Sequence, residues 1–168
     1  MPISDFIARL RQSVGNDLLF VPAVAVVARN QEHALLLVQD GETKLWGCPG
    51  GTVEPAELPS DAAVRETWEE SGVLVELDRI LGVFGGEHCA GTYKNGDRIA
   101  WVATVFTARV LSGAPRPDGV ETQAARFFTD GQLQTLPLAN HTRMYLAAEH
   151  SHAEGNYYAP SSWRPGAA

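Results

Sequence analysis

Apolar positions recur along this chain with two periods, helical and alternating, and the switches between them mark its elements. Phe6, Ile7 and Leu10 follow Ser4 at helical spacing and stop before Gly15, which predicts a short N-terminal helix capped by Ser4. Two β-rich runs follow, "LLFVPAVAVVAR" and "HALLLVQ", with Asp40-Gly41 as the turn after the second. Pro49-Gly50-Gly51 then predicts a break in regular structure. Pro59 and Ser60 supply a helix start, Asp61 suits the positive end of the helix dipole, and Gly72 is placed as the C-terminal stop. The predicted helix runs from about Asp61 to Ser71.

Downstream the pattern is again of the β type. "VLVEL" and "RILGVF" predict two strands, and a polar loop covers Gly85 to Lys94. Asn95-Gly96 reads as a hairpin turn into "RIAWVATVFTARV", the longest β-type run. A Pro/Gly loop, "SGAPRPDG", leads to a short strand in "ETQAARFFT", and Asn140 is placed to cap a last helix through about His150. Residues 1–150 are expected to form one α/β domain. Residues 151–168, rich in Gly, Pro and Ser, are expected to be a partly loose tail. A helix flanked by mostly antiparallel strands, with further helices at both ends, argues for a mixed α/β sandwich and against a regular βαβ array. Neither a dinucleotide-binding glycine fingerprint nor a P-loop occurs.

Composition narrows the classes. At 168 residues, 45% hydrophobic and 20% charged, the chain is the size of one globular domain with its own core, and no apolar run approaches bilayer length. No membrane partner is expected. The first residues lack the apolar core of a signal peptide, and Cys48 and Cys89 are too few for a disulfide framework or a zinc site, so a cytoplasmic setting is expected. A net charge of −7 without a basic stripe disfavours binding to a nucleic-acid polymer.

The segment from Gly51 to Val73, "GTVEPAELPSDAAVRETWEESGV", changes the picture most. On a helix, Glu66, Glu69 and Glu70 share one face and repel one another by roughly 0.2–0.5 kcal/mol per pair. A cation relieves that repulsion. Mg²⁺ and Mn²⁺ take oxygen ligands, and Mg²⁺ is commonly held by few carboxylates plus a substrate's phosphates, so the pattern points to metal-assisted chemistry on a phosphate compound.

Read by spacing, the segment is Gly51, five residues, Glu57, seven residues, Arg65-Glu66, two residues, Glu69-Glu70, one residue, Gly72 and Val73. This resembles the Nudix box of the Nudix hydrolases (the bacterial MutT-like members), with Thr67 at a position the family usually fills with an aliphatic residue. "LWGCPGG" before the box, and "YKNGDRIAWVATVFTARV" and "PDGVETQAARFF" after it, are similar to the family's lead-in and later strands. The resemblance covers roughly Leu18 to Leu146. It implies the Nudix α/β/α sandwich with a mixed, largely antiparallel sheet. It further implies hydrolysis of a nucleoside diphosphate linked to another moiety, with Mg²⁺ or Mn²⁺ as cofactor and a small nucleotide as substrate.

Carried onto this chain, the resemblance implies Glu66, Glu69 and Glu70 as metal ligands with the Gly51 carbonyl beside them, and Glu57 with Arg65 as a structural salt bridge. The general base stays open between Glu69, Glu70 and Glu121, the last placed in the loop before "ARFF"; Glu87 is a weaker rival in a similar loop. Substrates of the NDP-sugar or ADP-ribose type come first and nucleoside triphosphates second. A nucleotide-sensing Nudix module without turnover is the alternative; such modules often lose a box glutamate, and this chain keeps all of them.

Other residues carry weaker signals. Trp46 can stack on a base, but a Trp beside a strand end more often belongs to the core. His88, in the loop after "VFGG", is a candidate phosphate contact. Arg98 and Arg116 are expected on the surface, and His141, His150 and His152 on a solvated helix and its exit. Tyr157, Tyr158 and Trp163 suit packing either on this domain or on a second copy in a homodimer, and the sequence leaves both open.

Overall fold

The computed structural model describes residues 5–152 and 155–161. In chain order its elements are α1 (Asp5–Val14), β1 (Leu19–Arg29), β2 (Leu35–Asp40), β3 (Trp46–Gly47), β4 (Gly50–Thr52), α2 (Pro59–Ser71), β5 (Val73–Phe84), β6 (Ala90–Thr92), β7 (Arg98–Gly113), β8 (Thr122–Phe128), α3 (Asp130–Leu133) and α4 (Asn140–Ser151). The strands form one mixed sheet in the order β3-β2-β1-β7-β5. Within it β4 also pairs with β1, β6 with β7 and β8 with β2.

The sheet is buried on both faces, which is why β1 reads as an almost unbroken apolar run. Val24, Val26 and Ala28 point to one face, where Leu36, Val75 and Phe106 meet Ala62 and Ala63 of α2. Ala25 and Val27 point to the other, against Leu35, Leu37 and Val105, and Tyr145 and Ala148 of α4 close that side. Each fully buried Leu or Val there stabilises the fold by roughly 1.5–3 kcal/mol. The result is an α/β/α sandwich, with α2 held against the sheet by two alanines that bury completely.

As expected, the sheet is mixed and largely antiparallel; among the described residues its one parallel strand pair is β1 with β7, in register from Leu19 opposite Ile99 to Arg29 opposite Arg109. Other expectations from the sequence are corrected. The two strands expected from "VLVEL" and "RILGVF" are one, because a bulge steps over Asp78, with Leu77 opposite Ala108 and Arg79 opposite Thr107. Gly50 and Gly51 do not interrupt regular structure; they pair with β1 as β4, opposite Ala25 and Val24. A side chain at Gly50 would overlap the Val24 carbonyl oxygen, so only glycine lets the two backbones meet there.

The catalytic-helix candidate starts at Pro59, two residues early, with Leu58 as its N-cap; Gly72 ends it in the left-handed region at φ 67°. Asn140 does not cap α4. Ala139 takes that place, because Ala139 N–H bonds the Trp46 carbonyl at 3.0 Å and Trp46 N–H the Pro137 carbonyl at 2.9 Å, fixing the entry from outside the helix. Ser4 lies outside the described residues, as does Trp163. Part of the tail docks on its own domain: Tyr157 N–H bonds the Leu81 carbonyl at 2.6 Å and its ring stacks on Phe84 at 5.1 Å, while Tyr158 is exposed.

Candidate active site

The acidic residues of α2 meet the glycine strand β4, which pairs with β1. Pairing of β4 with β1 lays Gly51 directly over the helix: a β-carbon there would stand 2.5–2.7 Å from the Glu66 carboxylate atoms, so any larger residue displaces Glu66. The N–H of Gly50 donates to Glu70 Oε2 at 3.0 Å. Glu66 and Glu70 are both buried, at 5% and 8% exposure. Thr67, between them, is fully buried, and its hydroxyl donates to the Ala63 carbonyl at 2.7 Å. An internal bond of this kind explains how threonine fits a position that the family usually makes aliphatic.

Arg65 organises the approach to the helix. Its Nε and a terminal nitrogen donate to the two oxygens of Glu57 at 2.7 and 2.9 Å, a bidentate pair. The other terminal nitrogen reaches Glu66 at 2.8 Å and Glu69 at 3.0 Å, and a further bond goes to the Thr52 carbonyl at 3.2 Å. Glu57 also accepts the Glu54 N–H at 3.0 Å. Loop and helix are thus clamped through one guanidinium. Arg65→Ala, Glu57→Ala and the double mutant should each melt earlier than wild type. The Arg65 loss should be about 1–3 kcal/mol, and the double mutant should lose less than the sum of the singles. Additive losses in thermal melts would mean that the two residues do not pair.

Electrostatics single out the same carboxylates. Burial pushes Glu66 up, opposed by Arg65, with the charges of Glu69 and Glu121 adding to the rise. Burial pushes Glu70 well up, opposed by the Gly50 N–H, and the charges of Glu66 and Glu121 raise it further. Glu57 is lowered by its hydrogen bonds from Arg65. A carboxyl raised by folding binds its proton more tightly in the native state, so its contribution to stability is present at low pH and lost as pH rises through the raised value. For Glu70 that loss begins above its ordinary value of 4.5. In EDTA, the melting temperature of Glu70→Gln minus that of wild type should therefore grow as pH rises from about 4.5 to 8. A flat difference would show that Glu70 is not desolvated.

Among the described residues, no three His, Cys, Asp or Glu side chains already converge as a metal cage. The donor set fits a hard divalent ion nonetheless. Glu66 and Glu70 are carboxylates raised by burial and, to a lesser extent, by like charges, all donors are oxygens, and Mg²⁺ is usually held by one or two carboxylates plus water and substrate phosphates. Glu69 lies on the Arg65 side of the cluster, half exposed.

Of the remaining candidates, Glu121 lies near enough for its charge to act on both Glu66 and Glu70, although its residue is exposed. Thr122, beside it, donates its hydroxyl to the Glu70 carbonyl at 3.1 Å. Trp46 is a core residue, packed edge-on against Phe128 at 4.7 Å. Glu87 is 88% exposed and faces its neighbour His88 at 3.6 Å. Arg98 pairs with Asp17 at 3.3 Å. The histidines do not gather. His141 is half-buried and packs against Trp101 and Tyr145, with burial lowering its pKa, while the His152 ring meets Tyr157. The contributions of the Gly50 N–H, Asp118 and Thr122 were not anticipated; Asp118-Gly119, an Asx-turn signal in the loop before Glu121, was the available clue.

An α/β/α sandwich with this acidic helix under a glycine strand defines a Nudix-type hydrolase. The NUDIX domain matches residues 19–148, and the chain belongs to that family. It is similar to a Bacillus subtilis protein named for 8-oxo-dGTP diphosphatase activity, 27% identical over 74% of this chain and 77% of that one. A MutT-like protein of Streptomyces ambofaciens is 34% identical over 60% of this chain, a match that spans 58% of that protein's length. Among solved structures, an ADP-ribose pyrophosphatase of Streptococcus suis superposes with a TM-score of 0.60 at 28% identity, covering 81% of this chain and 95% of the other. No helix among the described residues is long and apolar enough to cross a membrane.

Proposed function

We propose that this hydrolase is a divalent-cation-dependent pyrophosphohydrolase that cleaves the diphosphate linkage of a small nucleotide derivative. The observation that carries the proposal is the pair of buried carboxylates, Glu66 and Glu70, set against the Gly50-Gly51 backbone and raised by burial, with neighbouring carboxylate charges adding to the rise. Glu66, Glu69 and Glu70, with the Gly51 carbonyl, would hold Mg²⁺ or Mn²⁺. When bound, the ion supplies charge neutralisation for the diphosphate and lowers the barrier to attack by water. Glu57 and Arg65 hold the loop and helix in place. Glu121 is assigned as the base that takes the proton of the attacking water, because it is a solvent-facing carboxylate whose charge acts on the cluster from a separate loop.

Within that class a nucleoside diphosphate sugar of the ADP-ribose type is the favoured substrate and a nucleoside triphosphate such as 8-oxo-dGTP the second. The names of the similar proteins from Streptococcus suis and Bacillus subtilis support one each. Retention of every box glutamate favours turnover over a nucleotide-sensing role without catalysis. Product chromatography separates the substrates: a nucleotide sugar yields a nucleoside monophosphate and a phosphorylated sugar, whereas a triphosphate yields a monophosphate and pyrophosphate. The first pattern is expected at the higher kcat/KM. Pyrophosphate as the main product at much higher kcat/KM would overturn that order.

A further inference from the structure

We propose that Asp118 and Thr122 are positioning residues that latch the Glu121 loop onto the last turn of α2 and so aim Glu121 at the acidic cluster. The inference rests on the role assigned above to Glu121.

The connection from β7 to β8 is rich in Gly and Pro, and Gly119 adopts φ 77°; backbone bonds tie it from the Arg116 N–H to the Ser71 carbonyl at 2.7 Å and from the Gly119 N–H to the Thr122 carbonyl at 3.1 Å. Asp118 adds side-chain order to the turn. Its Oδ1 accepts the N–H groups of Val120 at 3.0 Å, Glu121 at 3.2 Å and Thr122 at 2.9 Å, and the Thr122 hydroxyl at 2.9 Å. Glu121 N–H also lies 3.4 Å from Oδ2, so one carboxylate oxygen carries almost the whole turn. Burial opposes the charge of Asp118, but the N–H groups of Thr122 and Val120 and the Thr122 hydroxyl help to hold the carboxyl well below the usual range.

The ordered turn is then fixed at two points. Thr122 is buried at 3% exposure, and its hydroxyl oxygen lies within donating distance of both Asp118 Oδ1, at 2.9 Å, and the Glu70 carbonyl, at 3.1 Å. That carbonyl sits in the last turn of α2, where helix carbonyls lack partners within the helix. On the other flank, Gly41 N–H donates to the Glu121 carbonyl at 2.7 Å, and a β-carbon at Gly41 would stand 3.0 Å from the same oxygen. Glu121 is therefore held between the β2–β3 turn and the end of the helix that bears Glu70. Displacing a reacting group by about 1 Å can cost about 10²-fold in rate, so a latch of this kind acts on kcat.

Turnover of ADP-ribose and of 8-oxo-dGTP with Mg²⁺, together with amide hydrogen exchange, tests the latch. Asp118→Ala and Thr122→Val should lower kcat by at least about tenfold with KM within about threefold, and should speed exchange at the Val120 to Thr122 amides. Asp118→Asn, which keeps Oδ1 as an acceptor, and Thr122→Ser, which keeps the hydroxyl, should restore kcat to within about threefold of wild type. In a Glu121→Gln background neither Asp118→Ala nor Thr122→Val should lower kcat further. Faster exchange with unchanged kcat, or losses that multiply with that of Glu121→Gln, would overturn the latch. If Glu121→Gln is impaired while both latch variants turn over normally, the latch alone fails. A Glu121→Gln enzyme as active as wild type would end the role of Glu121 and the latch with it.

Discussion

Glu70→Gln should fold like the wild type and turn over at least about 10²-fold more slowly. The amide keeps the size of the side chain and one acceptor for the Gly50 N–H, so the contact between α2 and β4 can persist. What is lost is a carboxylate charge that burial and two neighbouring glutamates already penalise. Removing that charge should leave the melting temperature unchanged or higher in the absence of a divalent ion, while a metal-dependent reaction loses a ligand. Far-UV CD, thermal melting and turnover with Mg²⁺ check the three together. A variant with native CD and turnover within about threefold of wild type would show that Glu70 takes no part in the reaction.

Glu121→Gln should lower kcat by about 10²–10⁴-fold and leave KM nearly unchanged. The residue is exposed and lies in a loop outside the box, so truncating its charge should disturb little of the fold. Its charge nevertheless adds to the rise of both Glu66 and Glu70 from a different element. In the role of base proposed for it, its charge acts on the chemical step, so the loss should fall on kcat. Wild-type kcat in the variant would pass the role of base to Glu69 or Glu70.

Local signals in the sequence carried much of this structure. The acidic face of α2 follows from helical spacing, its end from Gly72, and the Glu57–Arg65 pair from the box pattern, because each depends on residues close in the chain. The parallel pairing of β1 with β7 joins segments more than seventy residues apart, and no short-range pattern encodes it. Strand β4 was hidden by its own composition: two glycines signal a break, yet here they allow a backbone approach that any side chain would block. The one-turn α3 went unpredicted although Thr129 and Gln132 form a capping box, since Gly131 between them argues against a helix. At the site, the glutamates could be named in advance. The loop latch could not, because it joins Thr122 to a helix carbonyl fifty-two residues away.

The central claim is metal-dependent hydrolysis at the Glu66–Glu70 cluster, and the most direct measurement is product formation from a nucleotide panel that includes ADP-ribose and 8-oxo-dGTP, with Mg²⁺ and with EDTA. The account predicts a nucleoside monophosphate among the products with Mg²⁺, and none above background with EDTA or from Glu70→Gln. Nucleotide binding without turnover of any panel member, or turnover that persists in both EDTA and Glu70→Gln, would contradict it.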